Sequence, residues 1–181
     1  YFKNFKKNEN FFNCSIFNKH CKISIVDTGL NSLTGGRLKR LKPFFSKNDK
    51  FMFTYGDGIS NVNLKKLLSF HNKSNKTITV TAVRPPARFG ELVIEDDSVK
   101  SFKEKPQTNR GWINGGFFVA DYSFFDFIKG DRDILEKKPL EKALKLGQLN
   151  AFKHYGFWKC MDTVRDREEL KEIYKKNKFK F

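Results

Sequence analysis

Apolar residues along the chain follow two periods, and segments with each period alternate. Short runs of apolar and β-branched residues predict strands, whereas apolar residues that recur every three or four positions predict helices. Strands are predicted at 22–29, 77–86, 89–96, 98–106, 112–121 and 150–158, and residues 50–58 are predicted to be a strand that runs into a loop. Helices are predicted at 37–45, 64–74, 122–128, 139–147 and 164–177, with Asn63 and Thr163 as N-caps.

The order of these elements predicts an α/β protein. Strands that alternate with helices indicate a layered sheet, and the two strands around Asp96-Asp97-Ser98 predict an inserted antiparallel hairpin. With 181 residues, the chain is long enough for one domain with its own core. We assign residues 1–21 to a poorly determined N-terminal segment and residues 22–181 to the domain.

The chain is strongly basic, with a formal net charge of +16. Such a charge is typical of proteins that bind nucleic acid or another anionic surface. The lysines are dispersed along the sequence, so the charge favours solubility over a dedicated nucleic-acid footprint. No apolar run is long enough to cross a membrane, and the three cysteines, none in a C-x-x-C pair, indicate a reducing, cytoplasmic setting.

Two acidic residues stand at predicted strand ends. Asp57 lies between two glycines in TYGDG, and Asp162 follows the aromatic segment of GFWKCMDT. Ligands of open α/β sheets bind beyond the carboxyl ends of the strands, so this fold class can bring both carboxylates onto one Mg²⁺ ion. Each residue has an alternative role: Asp57 as a turn residue that caps the next helix, and Asp162 as the N-cap of the last helix.

Three further segments offer polar groups at strand ends. FKEKP places Glu104, an acceptor, beside Lys105, a compact cation, and this pair suits a sugar hydroxyl and a phosphate. INGGFFVAD places Asn114, a donor and acceptor, beside two glycines. LTGGRLKR begins a helix with the N–H groups of Gly35-Gly36 and adds Arg37, a combination that attracts anions or a base carbonyl. Each segment alone is a weak signal, typical also of structural turns.

The order of the motifs is more specific than any one of them. The motifs occur in the order VDTG, TGGRLKR, TYGDG, RFGEL, FKEKP, INGGFFV, KKPLEKALKLGQL and GFWKCMDT. Together they resemble the glucose-1-phosphate cytidylyltransferases, a family of sugar-1-phosphate nucleotidyltransferases. The resemblance runs from about Ile23 to the last helix. It implies a Rossmann-like, mixed-sheet nucleotidyltransferase fold of the glycosyltransferase-A type.

The resemblance also implies an activity and a role for each candidate residue. Asp57 and Asp162 match two metal-binding carboxylates, and Asp57 and Lys105 are the implied catalytic residues. The implied substrate-binding residues are Arg37 for the nucleotide, Glu104 and Lys105 for the sugar phosphate, and Asn114. The implied reaction converts CTP and α-D-glucose 1-phosphate into CDP-glucose and pyrophosphate with Mg²⁺ as cofactor, for deoxysugar and O-antigen synthesis. Full-length members are expected to form homo-oligomers.

One feature of this family does not occur in the sequence. The family begins with a strand and a glycine-rich G-G-x-G-T-R loop that wraps the triphosphate, whereas the Gly-Gly pairs here are Gly35-Gly36 and Gly115-Gly116. We therefore expect the first strand and its loop to precede Tyr1, and the chain alone to have little or no activity. The alternatives are thymidylyl or guanylyl transfer to a sugar 1-phosphate, a basic nucleic-acid-binding module, and an inactive gene product.

Overall fold

The computed structural model describes residues 11–16, 19–85, 91–103 and 111–176. The strands are β1 (Phe11–Ile16), β2 (Lys19–Ser24), β3 (Lys50–Thr54), β4 (Gly58–Ser60), β5 (Ile78–Val83), β6 (Glu91–Glu95), β7 (Ser98–Lys103), β8 (Ile113–Asp121), β9 (Leu149–His154) and β10 (Trp158–Cys160). The α-helices are α1 (Thr34–Arg40), α2 (Leu64–Ser74), α3 (Lys138–Lys145) and α4 (Val164–Lys175), and two 3₁₀ segments lie at Lys42–Phe44 and Tyr122–Phe127. No helix in these ranges has both the length and the apolar character needed to cross a bilayer.

Four strands form a central mixed sheet in the order β3–β8–β5–β9. β8 pairs antiparallel with β3 and with β5, while β5 and β9 run parallel. β5 reads ITVTAV and is buried along nearly its whole length, as expected for a strand with both faces covered. The mixed α/β sheet predicted from the alternation of strand and helix patterns is therefore confirmed.

The predicted hairpin of β6 and β7 is also present. Its two strands pair antiparallel, and the turn residues Asp96 and Asp97 have φ angles of 47° and 64°. Two successive residues in the left-handed region are typical of a type I′ turn, which matches the twist of a two-stranded hairpin. Aspartate tolerates this region better than most residues, so the turn follows directly from the local sequence.

The start of the described chain differs from the prediction. The strand predicted at 22–29 ends at Ser24, and β1 pairs antiparallel with β2 although the sequence predicts no regular structure before residue 22. The Asp27 carboxylate accepts the backbone N–H of Gly29 at 2.7 Å, and Gly29 has φ +82°. This local side-chain hydrogen bond competes with strand pairing and turns the chain out of the extended conformation.

Both predicted N-caps are confirmed. The Asn63 side chain accepts the backbone N–H of Lys66 at 2.9 Å at the start of α2. Thr163 forms a reciprocal capping box at the start of α4, in which its Oγ1 accepts the Asp166 N–H at 3.1 Å and Asp166 Oδ2 accepts the Thr163 N–H at 3.0 Å. Each cap satisfies backbone donors that the first helical turn leaves without partners.

Phenylalanine side chains fill the core behind β3 and β8. Phe51 stacks on Phe125 with ring centroids 4.9 Å apart, and Phe53 stacks on Phe118 at 4.6 Å. Phe118 and Phe125 are fully buried. Because each aromatic ring buries a large apolar area in a preferred geometry, this cluster holds β3 and β8 rigidly where both strands lead into the candidate site.

His71 on α2 is a buried titratable group packed against the sheet. Its Nδ1 lies 2.9 Å from Thr79 Oγ1 and its Nε2 lies 3.2 Å from Asp121 Oδ1, and Asp121 also pairs with Lys50. A carboxylate can only accept, so the neutral ring carries its proton on Nε2 and accepts from Thr79 through Nδ1. Burial lowers the pKa of His71 below its ordinary value of 6.5, against the opposing effect of Asp121.

This buried histidine predicts a loss of stability in acid. Below about pH 6.5 the unfolded chain takes up a proton at His71 more readily than the folded chain, so the free energy of unfolding falls as the pH falls. In His71→Gln this contribution is absent, and we expect a smaller decrease in stability between pH 7.5 and pH 5 than in the unsubstituted chain. Urea unfolding at several pH values measures both slopes, and identical slopes would contradict the prediction.

Candidate functional site

Asp57 and Asp162 lie beside each other at one end of a two-stranded ladder. β4 and β10 pair antiparallel with Cys160 opposite Gly58, and the Met161 N–H donates to the Asp57 backbone carbonyl at 2.9 Å. Asp57 immediately precedes β4, and Asp162 follows Met161. Both aspartates are exposed. The fold therefore brings together two backbone segments that are far apart in the sequence and that each carry an aspartate.

The alternative capping roles of these aspartates are wrong. The helix after Asp57 is α2, and its N-cap is Asn63; the strand β4 lies between Asp57 and this cap. The helix after Asp162 is α4, and its N-cap is Thr163, whose capping box uses Asp166. Neither carboxylate is needed to begin a helix, so both are available for another role.

Cys160 contacts the second carboxylate. Its thiol donates to Asp162 Oδ2 at 3.1 Å. Burial and the neighbouring Asp162 raise the pKa of Cys160 to about 11. The thiol therefore stays protonated at neutral pH, and it restricts the orientation of the Asp162 side chain without adding charge to the site.

This donor set fits a magnesium ion. In the described part of the chain, no three His, Cys, Asp or Glu side chains form a group that could hold a metal ion by themselves. Magnesium in phosphate-processing sites is commonly held by one or two carboxylates, with waters and substrate phosphate oxygens completing the shell. Two exposed carboxylates on adjacent backbone segments, Asp57 and Asp162, match that incomplete protein set.

The INGG motif lies in β8, next to this ladder, and forms the predicted bulge. The pairing of β5 with β8 shifts register between Val80 and Ala82, opposite residues 114–118. Gly116 has φ +78°, and a Cβ there would lie 2.7 Å from the Tyr55 ring. Trp158 on β10 donates from Nε1 to the Gly115 carbonyl at 2.7 Å. The glycines thus allow β8 to pack closely against β5 and the Tyr55 ring, and the Trp158 hydrogen bond joins β8 to the segment that leads to Asp162.

Asn114 is held by side chains that the sequence analysis did not identify. Its Oδ1 accepts the Gly116 N–H at 2.8 Å, and its Nδ2 donates to the Tyr55 hydroxyl at 3.3 Å. The Tyr55 hydroxyl donates in turn to Glu136 Oε1. Tyr55 stands directly before GDG and offered a local signal, whereas Glu136 precedes α3 and nothing in its surrounding sequence marks it.

Arg37 lies on α1 and binds the preceding loop. Its guanidinium donates to Thr28 Oγ1 at 3.1 Å and to the Leu30 carbonyl at 3.3 Å. Arg37 is exposed, and its role toward a nucleotide stays a prediction. In this structure the residue orders the VDTG segment beside α1.

The expected role of the Gly35 and Gly36 N–H groups is wrong. They were predicted to face an anion or a base carbonyl, but both donate to the Asp133 carbonyl, at 2.9 Å and 3.3 Å. A Cβ on Gly36 would lie 2.3 Å from the Asp131 carbonyl oxygen. These glycines therefore allow α1 to pack closely against the segment 131–133, a tertiary contact that a local motif does not reveal.

Glu104 and Lys105 lie outside the described residues. β7 includes Lys103, the residue before them, and the rest of the strand predicted at 98–106 lies outside the described residues as well. Their expected roles toward a sugar phosphate stay predictions.

Comparisons with known proteins assign this fold and sequence to a class of protein. The mixed sheet resembles that of HddC from Yersinia pseudotuberculosis, with a TM-score of 0.61 over 83% of this chain and 65% of that chain; at 22% identity this likeness concerns the fold. A family model for nucleotidyl transferase matches residues 21–166. The chain belongs to this nucleotidyl transferase family.

Two curated relatives give a more specific comparison. The chain is 44% identical to glucose-1-phosphate cytidylyltransferase of Salmonella typhi over 156 residues, covering 86% of this chain and 61% of the relative. It is 30% identical to the mannose-1-phosphate guanylyltransferase catalytic subunit beta of Xenopus tropicalis over 141 residues, covering 74% of this chain and 39% of the relative. The resemblance found in the motifs is confirmed, and the chain spans about three-fifths of the length of its Salmonella typhi relative.

Proposed function

We propose that this chain provides the metal-binding and sugar-phosphate-binding part of an enzyme that transfers a nucleotidyl group to a sugar 1-phosphate. The β4–β10 pairing supports the proposal, because the backbone segments of Asp57 and Asp162 are adjacent through the hydrogen bond from the Met161 N–H to the Asp57 carbonyl. Family membership supports the same reaction class. The alternative of a basic nucleic-acid-binding module offers no reason for two carboxylates at this position.

The proposed substrates are CTP and α-D-glucose 1-phosphate, giving CDP-glucose and pyrophosphate. The 44% identity to the Salmonella typhi cytidylyltransferase favours this pair. Thymidylyl or guanylyl transfer is the alternative, and the more distant Xenopus tropicalis guanylyltransferase keeps it open. We also propose that the enzyme serves deoxysugar synthesis for O-antigen and is located in the cytoplasm. The full-length protein is proposed to form a homo-oligomer.

The chemistry requires positioning and charge neutralisation more than covalent catalysis. An oxygen of the sugar phosphate attacks the α-phosphorus of the nucleotide in line, and pyrophosphate leaves. Asp57 and Asp162 would hold Mg²⁺, which when bound neutralises charge on the phosphate oxygens. In the same scheme Lys105 holds the attacking phosphate, Glu104 accepts from a sugar hydroxyl, and Asn114 contacts the ligand.

The test compares nucleotides in a chimeric protein. The chain is joined behind a segment that supplies the G-G-x-G-T-R loop, and CTP, dTTP and GTP are offered with glucose 1-phosphate and Mg²⁺. We expect CDP-glucose as the main product, detected by anion-exchange chromatography together with pyrophosphate release. The chain without that segment serves as the second arm and is expected to form little or no product.

Two outcomes would contradict the proposal. Faster reaction with dTTP or GTP than with CTP would replace the cytidylyl assignment by the alternative within the same class. No transfer with any of the three nucleotides, by a chimera that circular dichroism shows to be folded, would remove the enzyme assignment.

A further inference from the structure

A chain of hydrogen bonds connects three of the sequence motifs beside the carboxylate pair. It runs from Thr34 in TGGR through Glu136 and Tyr55 to Asn114 in INGG. Thr34 Oγ1 donates to Glu136 Oε2 at 3.0 Å, and the Tyr55 hydroxyl donates to Glu136 Oε1. Asn114 Nδ2 donates to the Tyr55 oxygen at 3.3 Å. Glu136 is 81 residues from Tyr55 in sequence, so the connection exists in the folded chain only.

In the series of hydrogen bonds from Thr34 to Asn114, the chemistry of the groups decides which atom donates and which accepts. Thr34 Oγ1 accepts the Leu135 N–H at 2.9 Å, so its own hydrogen is free to donate to Glu136. A carboxylate can only accept, so the Tyr55 hydroxyl is the donor toward Glu136. The Tyr55 oxygen can then accept from Asn114.

The orientation of the Asn114 amide follows from its two partners. Gly116 offers an N–H, which requires the amide oxygen at 2.8 Å on that side. The Tyr55 oxygen, whose hydrogen points at Glu136, requires the amide nitrogen on the other side. A flipped amide would set nitrogen against N–H and oxygen against oxygen, and both contacts would be lost. One orientation is therefore strongly favoured.

We propose that Tyr55 and Glu136 are positioning residues that hold the exposed Asn114 amide so that it presents an N–H donor to an oxygen of the sugar phosphate. The Asn114 nitrogen has two hydrogens, and Tyr55 engages one of them. The second has no acceptor among the residues that the structure describes, and we assign it to the substrate, where the acceptor is a sugar hydroxyl oxygen or a phosphate oxygen. This inference rests on the proposed function, because it assigns to the same site the group that orients its ligand.

The test uses the 181-residue chain and two substitutions that act through Asn114. Tyr55→Phe removes the hydroxyl and keeps the ring, which packs edge-on against Phe118 at 5.7 Å. Glu136→Leu removes both acceptor oxygens from an exposed position. Calorimetric titration with glucose 1-phosphate in the presence of Mg²⁺ measures affinity, and inorganic phosphate is the second probe. Tyr174→Phe, on the exposed face of α4, makes the same chemical change as Tyr55→Phe away from the site.

We expect each substitution to weaken glucose 1-phosphate binding about tenfold, the effect of one mispositioned hydrogen bond. The double variant should lose no more than either single variant, because both substitutions act on the same amide. A thermal unfolding midpoint for each variant separates loss of binding from loss of folding. Equal weakening of inorganic phosphate binding identifies a phosphate oxygen as the acceptor, and weakening confined to glucose 1-phosphate identifies a sugar hydroxyl.

The negative results distinguish this inference from the proposed function. If the unsubstituted chain binds glucose 1-phosphate and Tyr55→Phe binds it equally well, the positioning role is overturned while the proposed function stands. Additive losses in the double variant would also overturn it. If the unsubstituted chain does not bind glucose 1-phosphate at all, the proposed function fails and the inference fails with it.

Discussion

Replacing either Asp57 or Asp162 by Asn is expected to lower Mg²⁺-dependent nucleotidyl transfer at least about a hundredfold, a loss comparable to removing one electrostatic stabiliser of a transition state. Met161, the residue before Asp162, donates its N–H to the Asp57 carbonyl. In the proposed site each aspartate would therefore provide half of the protein's negative charge to one ion. Asn keeps the size of the side chain and an acceptor for the Cys160 thiol. The charge is the main property removed.

The loop-bearing chimera described above provides the assay, and the chain itself provides a second measurement. Binding of Mn²⁺, followed by electron paramagnetic resonance as a substitute for Mg²⁺, should weaken in both variants. Asp97→Asn is the matched control, because Asp97 lies in the β6–β7 turn at φ 64°, a conformation that Asn accepts readily. Unchanged transfer in either Asp57→Asn or Asp162→Asn would remove that residue from the metal site.

Replacing Gly36 by Ala is expected to destabilise the fold by about 3 kcal/mol or more, at the upper end of the cost of overpacking. A Cβ at this position would lie 2.3 Å from the Asp131 carbonyl oxygen and 2.5 Å from the Asp131 Cα. Backbone atoms cannot rotate away as a flexible side chain can. The helix α1 also cannot withdraw easily, because Leu33 donates to the Asp131 carbonyl at 2.8 Å and Arg40 pairs with the Asp131 carboxylate at 2.6 Å.

Urea unfolding of the chain measures this effect, with Gly130→Ala as the control. A Cβ on Gly130 would meet no atom within 4 Å. We expect Gly130→Ala to leave the free energy of unfolding within about 0.5 kcal/mol of the unsubstituted value, as surface substitutions usually do. A Gly36→Ala chain with the same unfolding midpoint as the control would show that α1 and the 131–133 segment can separate at little cost.

Local patterns in the sequence were sufficient for most of the secondary structure. Asn63 and Thr163 were identified as N-caps, because a capping side chain bonds to backbone only a few residues away. The turn at Asp96 and Asp97 was identified for a similar reason. The prediction was wrong at residues 25–29, where the Asx-turn of Asp27 overrides a strand-like alternation of residues.

The candidate site was predictable in part. Asp57, Asp162 and Asn114 were identified because short polar motifs after apolar strands are typical of α/β ligand sites. The structure places the two aspartates on adjacent backbone segments and β8 beside them. Glu136 was missed, since its role depends on its contacts with Tyr55 and Thr34 and not on its own neighbours in sequence.

The sequence by itself determined most of the strands and helices in their order, the two N-caps and the motif series that places the chain among nucleotidyl transferases. Tertiary structure alone decided which of the motif groups meet. In the folded chain β4 pairs with β10, which brings the backbone of Asp57 next to the segment of Asp162. The Gly35 and Gly36 N–H groups donate to the Asp133 carbonyl. The physical reason is range: helix and turn preferences act over a few residues, whereas strand pairing and close packing depend on segments that come together only when the whole chain folds.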